Sequence, residues 1–191
     1  MTTLVLATVD GEQLSDLEIG LFCILLLVGG NETTRNTIAH GVLSLIDYPG
    51  QRRSVIGDRS LLPGAVEKML RFSSALMQFR RTATIDTTVG DQVIAEGDKV
   101  ILWYTSANRD ETVFSSPDVL NVGRAPNPHL AFGGGGPHIC LGANLARLQL
   151  RVLFDELFAR VGAIELAAPL VRLRSNFLND IKRLQVRVTG S

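Results

Sequence analysis

Cys140 is one of only two cysteines in a chain of 191 residues, and it closes an unusual stretch: Phe132, four consecutive glycines (133–136), Pro137, His138, Ile139, Cys140, Leu141 and Gly142. Glycines allow positive φ angles and a close backbone approach that side chains forbid. A loop of this kind wraps the backbone around one sulfur. A thiolate is a strong ligand for soft metals and for haem iron, and nearby N–H donors hold and tune it. The following run, Ala143-Asn144-Leu145-Ala146-Arg147, reads as the start of a helix, whose positive N-terminal end favours an anionic sulfur. Zinc fits poorly. His138 and Cys140 have no second His or Cys pair at finger spacing, and the other cysteine is far away at position 23. A phosphate loop fits less well still, because no Gly-Lys-Ser/Thr follows the glycines. A plain glycine-rich turn ending on a buried cysteine explains neither Phe132 nor His138.

A second segment, Gly29-Gly30-Asn31-Glu32-Thr33-Thr34, falls inside an otherwise apolar helical run. Two glycines weaken a helix, and Glu32 and Thr33 are costly in a core unless they are used. The segment predicts an interruption that frees backbone hydrogen bonds for a water or ligand. The plain alternative is a kink with a locally satisfied threonine.

Several elements must position these segments. Ser15 with Glu18 forms a capping box, and the residues from Ile19 to Val28 are apolar on every side, the pattern of a helix buried in the middle of a protein. This predicts a long central helix over 15–47, closed by Pro49. Pro63 suits the first turn of a second helix reaching about Phe72. Residues 81–103 alternate β-branched side chains with Gly-containing turns and predict a small antiparallel meander. Residues 108–129, with Pro117, Pro126 and Pro128, predict a long irregular segment. A helix from Gly142 to about Val161 would carry Leu145, Leu148, Val152, Leu153 and Leu157 near one side, and 182–188 alternates as a strand does. The fold class expected is mainly α with a small antiparallel β portion.

With 19 basic and 19 acidic residues the net charge is zero, which points away from a nucleic-acid surface. Two distant cysteines and the lack of a signal-peptide pattern suggest a reducing, cytoplasmic setting. The apolar run from Ile19 to Gly30 is too short for a bilayer, which takes about 20 residues, so no membrane span is expected. A hydrophobic content of 46% is high for a small domain and suits a chain that packs against further surface.

The Cys140 loop resembles the cysteine-ligand loop of the cytochrome P-450 superfamily, the haem-thiolate monooxygenases, through Phe132, Gly133, Gly135, His138, Cys140 and Gly142, with Ala146-Arg147 in the following helix. The resemblance covers nearly the whole chain after the first ten residues. Residues 29–34 are similar to the superfamily's oxygen-side motif, and residues 30–36 to actinobacterial members that hydroxylate lipids and sterol side chains. The resemblance implies haem b with Cys140 as its iron ligand, and Glu32 and Thr33 in proton delivery beside Gly29 and Gly30. It implies Phe132 packed near the sulfur, with His138 and Arg81 at the haem propionates, although Arg81 also reads as a solvated strand-end arginine beside Arg80. Ala75, Leu76 and Met77 would face substrate. The function implied is insertion of one oxygen atom from O2 into a small apolar substrate, with electrons from a ferredoxin-type or similar partner. The alternative is a truncated, non-catalytic remnant or a partner-dependent haem-binding half-domain.

Two departures qualify the resemblance. Members are about twice as long, so residues 1–191 correspond to a C-terminal half and the N-terminal half of the family fold is expected to be missing. In the helix after Pro63, Lys68 stands where the family's Glu-x-x-Arg has its glutamate. Lys68, Arg71 and Arg124 would then form a buried cluster of three cations without a carboxylate, an arrangement that costs several kcal/mol. Leu120-Asn121 likewise replaces the usual Phe-Asp before Arg124. Glu67 lies four residues before Arg71 and could pair with it, but it points about 100° away from position 68. A loosened core and poor haem retention are expected.

Overall fold

The computed structural model describes residues 2–190; positions 1 and 191 of the expected domain lie outside the described residues. In chain order the elements are α1 (Thr2–Val5), β1 (Thr8–Val9), β2 (Glu12–Gln13), α2 (Asp16–Asp47), α3 (Pro49–Gly57) and a 3-10 turn at Arg59–Leu61. These are followed by α4 (Leu62–Ser73), β3 (Gln78–Thr82), β4 (Thr87–Val89), β5 (Gln92–Ile94), β6 (Lys99–Trp103) and α5 (Tyr104–Ala107). The last group is α6 (Ala143–Arg160), β7 (Val161–Leu166), β8 (Val171–Arg172), β9 (Ile181–Arg183) and β10 (Val186–Gly190). Helices dominate, and every strand pair is antiparallel, as the composition of the segments predicts.

Helix α2 starts where the capping box places it. The Ser15 hydroxyl accepts from the Glu18 amide, and the Glu18 carboxylate accepts from the Ser15 amide at 2.8 Å. It then runs unbroken for 32 residues, so the interruption expected at Gly29-Gly30 does not occur. The Thr33 and Thr37 hydroxyls bond back to the Gly29 and Thr33 carbonyls at 2.7 and 2.9 Å. This i to i−4 bonding satisfies the polar groups within the helix instead of opening it.

The core lies where α2, α4 and α6 meet. Leu45, Val66, Met69, Leu150, Phe154 and Phe158 are buried together, each contributing about 1.5–3 kcal/mol relative to exposure. Gly41 permits the closest approach of the helices. A Cβ there would stand 2.6 Å from the Phe154 ring and 3.2 Å from Met69 Sδ. In α6 the buried side is Leu150, Phe154 and Phe158; of the expected apolar side, Leu145, Leu148, Val152 and Leu153 are exposed and Leu157 is half-buried against the core. The two stripes differ by roughly half a turn, and α6 offers apolar residues to both.

The expected burial of α2 along its length holds only for its C-terminal part. Its buried residues are Asn36, Thr37, His40, Gly41, Leu43, Ser44 and Leu45. Leu17, Leu21, Ile24, Leu25, Leu27 and Val28 are all exposed, because no described element packs over that half. By length and apolarity α2 would qualify to cross a membrane, contrary to the estimate from the Ile19–Gly30 run alone, yet its second half packs polar side chains into the protein core.

The meander is two nested hairpins. β3 pairs with β6 and, inside it, β4 pairs with β5. The irregular segment after α5 is pinned by Asn108, whose side chain donates to Ser74 and accepts from the Leu130 amide at 2.8 Å.

Candidate functional site

The Cys140 loop is built by backbone geometry. The Cys140 amide donates to the Phe132 carbonyl at 2.9 Å, closing the loop on its aromatic residue. Gly133, Gly135 and Gly136 have φ of +91°, +101° and +75°, where an L side chain is strained. Gly142 has an ordinary φ of −82° and caps the 18-residue α6, so its role is that of a helix entry. Cys140 is exposed, one residue before the Leu141-Gly142 entry to α6. His138 is exposed as well, and Phe132 is half-buried.

The clamp behind the loop is less legible from sequence. The Arg147 guanidinium lies 4.5 Å from the centroid of the Phe132 ring, a cation–π contact. It forks onto Glu67 of α4 through Nε and Nη2 at 2.8 and 3.0 Å. His129 Nε2 meets the same carboxylate at 3.0 Å, while its Nδ1 accepts from the Ala131 amide. That acceptor role leaves the ring proton on Nε2, which therefore donates to Glu67. Burial alone would push the Glu67 carboxyl upward; the hydrogen bonds from His129 and Arg147 outweigh it and hold the group down at about 2. The pairing partners are 62 and 80 residues away in sequence, a separation no local pattern encodes. Glu67 therefore serves the Cys loop and does not compensate Arg71.

Arg71 is fully buried and donates to the carbonyls of Asn108 and Pro117 at 2.6 and 3.0 Å. Arg124 donates to the carbonyls of Ser115 and Ser116 at 2.7 and 3.1 Å. Carbonyl dipoles thus receive the terminal N–H groups where the family has a carboxylate, and Arg71 is buried beneath them. Burial, then Arg109 and Arg124, pull Arg71 down to about 10.

The other expected site residues lie apart from this cluster. Glu32 accepts from Arg35 at 2.7 Å, and Arg35 also reaches Asp180 at 2.9 Å. Thr33 is half-buried beside it. Gly29 and Gly30 have open space where a Cβ would stand. Arg81 on β3 donates to the Arg80 carbonyl and covers the Phe79 ring at 5.6 Å. Ala75 is buried, and Leu76 and Met77 are half-buried. Among the described residues no hydrogen bond or ion pair joins Glu32, Thr33 or Arg81 to the Cys140 loop.

The donor set tests what group this loop suits. Among the described residues no three His, Cys, Asp or Glu side chains gather as a metal cluster. One exposed thiol cannot by itself complete a structural zinc site, which takes four ligands. It does suit an iron already held by a macrocycle, which needs one axial protein donor.

The family model for cytochrome P450 matches residues 1–161. The chain is 52% identical over 186 residues to a methyl-branched lipid omega-hydroxylase of Mycobacterium tuberculosis, covering 97% of this chain and 44% of that protein. It is 40% identical to a steroid C26-monooxygenase of Mycolicibacterium smegmatis, over 100% of this chain and 44% of the relative. The solved structure of Mycobacterium marinum cytochrome P450 CYP268A2 in complex with pseudoionone superposes with a TM-score of 0.93 at 43% identity, over 97% of this chain and 45% of that one. The chain therefore spans less than half the length of the curated relatives it matches. Its fold, its loop and these likenesses agree: the chain belongs to the cytochrome P450 family.

Proposed function

We propose that this chain is the C-terminal, haem-ligating part of a monooxygenase that inserts one oxygen atom from O2 into an apolar, lipid- or sterol-like substrate. The observation that carries the reading is the exposed Cys140 thiol, held at the entry to α6 by a loop with three positive-φ glycines and closed on Phe132. The resident group is haem b, which when bound supplies oxygen activation and accepts electrons one at a time. Cys140 Sγ would hold its iron. Gly133 and Gly135 keep the loop backbone thin, Gly142 starts the helix behind it, and Phe132 would pack near the sulfur. His138 and Arg81 would supply hydrogen-bond donors for the propionates.

On the oxygen side, Thr33 gives its hydroxyl proton to the Gly29 carbonyl, which leaves its oxygen free to accept from a water. Glu32, partly exposed and paired with Arg35, is the second group assigned here to proton delivery. Gly29 and Gly30 leave open space along this face of α2. The names of the relatives support lipid and sterol substrates. A cytoplasmic setting and a ferredoxin-type electron donor follow from the family reading.

A second reading, a haem-binding half-domain that needs a partner chain for turnover, draws support from the exposed apolar half of α2. Haem loading followed by reduction under carbon monoxide tests both. The expected result is a red-shifted Soret band of thiolate ligation that Cys140→Ser removes. Turnover of a fatty or sterol substrate with added ferredoxin and its reductase separates the monooxygenase from the half-domain. No thiolate signature in the parent chain sinks both readings.

A further inference from the structure

Helix α4 presents Lys68 and Arg71 three residues apart, on one side of the helix, toward the loop that also carries Arg124. The two guanidiniums are neighbours, because one short stretch receives both: Pro117 accepts from Arg71, while Ser115, Ser116 and Val119 accept from Arg124. Each spends its terminal nitrogens on carbonyls. The Nε of Arg71 and the Nε of Arg124 are both buried without a partner, and Arg71 has no exposed surface at all.

The nearby carboxylates are engaged elsewhere, Glu67 with Arg147 and His129 and Asp118 with Arg109. Lys68 curls back along the helix, its ammonium 3.5 Å from where a Cβ on Gly64 would lie. Burial pulls Lys68 downward, with Glu67 opposing and Arg124 adding to the fall. A groove of about 450 Å³ lined by Ser115, Ser116, Asn121 and Arg124 opens the Arg124 side to solvent. Carbonyl dipoles satisfy N–H groups but carry no net charge, so three cations remain with two unused, buried donors.

We propose that a small monovalent anion, of halide or carboxylate dimensions, binds between Arg71 and Arg124 beside Lys68 and accepts from the two Nε groups. Bonds from ionised donors to an anion are among the strongest hydrogen bonds available to a protein. The site does not depend on haem and stands apart from the Cys140 loop.

Thermal unfolding at constant ionic strength tests it, with chloride or formate replacing a bulky organic anion such as gluconate. The parent chain is expected to show a saturable rise in midpoint, about 5 °C at a hundredfold excess over half-saturation. Lys68→Met removes one cation and is expected to raise the half-saturating concentration about tenfold. Lys68→Glu provides a carboxylate in place and is expected to melt higher without chloride and to lose the response. A flat response in the parent overturns the proposal. So does an equal response in Lys68→Glu, or an unchanged half-saturation in Lys68→Met, since either outcome makes the effect a general salt effect.

Discussion

The two halves of α2 invert the usual rule. The half richest in leucine, from Leu17 to Val28, is exposed, with Leu25 at 65% and Leu27 at 71%. The half carrying Asn36, Thr37, His40 and Ser44 is buried, with Asn36 at 0%. Hydrophobicity states what a segment can contribute if covered; burial is decided by what is there to cover it. α4, α6 and the β9 region cover the second half, and polar side chains there make bonds across the contact. The Asn36 side chain accepts from the Ile181 amide at 3.2 Å, and the His40 ring meets the Asn179 carbonyl at 2.8 Å.

The largest effect should come from removing the partner of the buried half. Phe154→Ala empties the space against Gly41 and is expected to cost about 3–5 kcal/mol, read by urea unfolding; a loss as small as that of an exposed leucine would erase the contrast between the halves. Glu67→Gln comes next. It leaves the Arg147 fork and the His129 donor facing a neutral amide, at about 2 kcal/mol, and lowers the thiolate-ligated fraction of haem-loaded protein in the carbon monoxide spectrum. The wild-type carboxylate is depressed from 4.5 to about 2. Its contribution is therefore full above pH 4.5 and disappears as pH falls toward 2, so the mutant should lose less stability than the parent across that acid range.

A smaller effect is expected at His40. Burial is the main cause holding it below its ordinary 6.5, with the Asn179 carbonyl opposing. The unfolded chain takes up a proton first, so stability is whole above about pH 6.5 and declines as pH falls below it. His40→Gln should flatten the slope of stability against pH in that interval. The smallest effect is Leu25→Gln in the exposed half, expected within about 0.5 kcal/mol of the parent. Amide exchange sharpens the same comparison: residues 17–28 should exchange through local opening and residues 36–45 only through global unfolding.

What was legible in the sequence was whatever is written locally. The Ser15–Glu18 box marks the start of α2 to the residue, Pro63 opens α4 within one position, and the glycines before Cys140 announce a loop that does take positive φ. α3 carries one buried residue, Val55, and no periodic face, so nothing in its composition declares a helix. The face of α6 was misread because apolar residues occupy both sides and only contact with Met69 and Gly41 decides between them. Lys68 was legible as an oddity, but the carbonyls that receive Arg71 are 37 and 46 residues away, and backbone acceptors leave no mark in side-chain chemistry. The Glu67 clamp is hidden by separation alone, since its side-chain partners His129 and Arg147 stand 62 and 80 residues away.

The exposure of Cys140 has a practical consequence. Its sulfur faces solvent, whereas Cys23, the other thiol, is half-buried on α2. A sulfur coordinated to iron is withdrawn from alkylating reagents, and one that is free is open to them and to oxidation through sulfenic acid. The ratio of maleimide label at position 140 to that at position 23 is therefore an internal gauge of occupancy, readable by peptide mass without any optical signal.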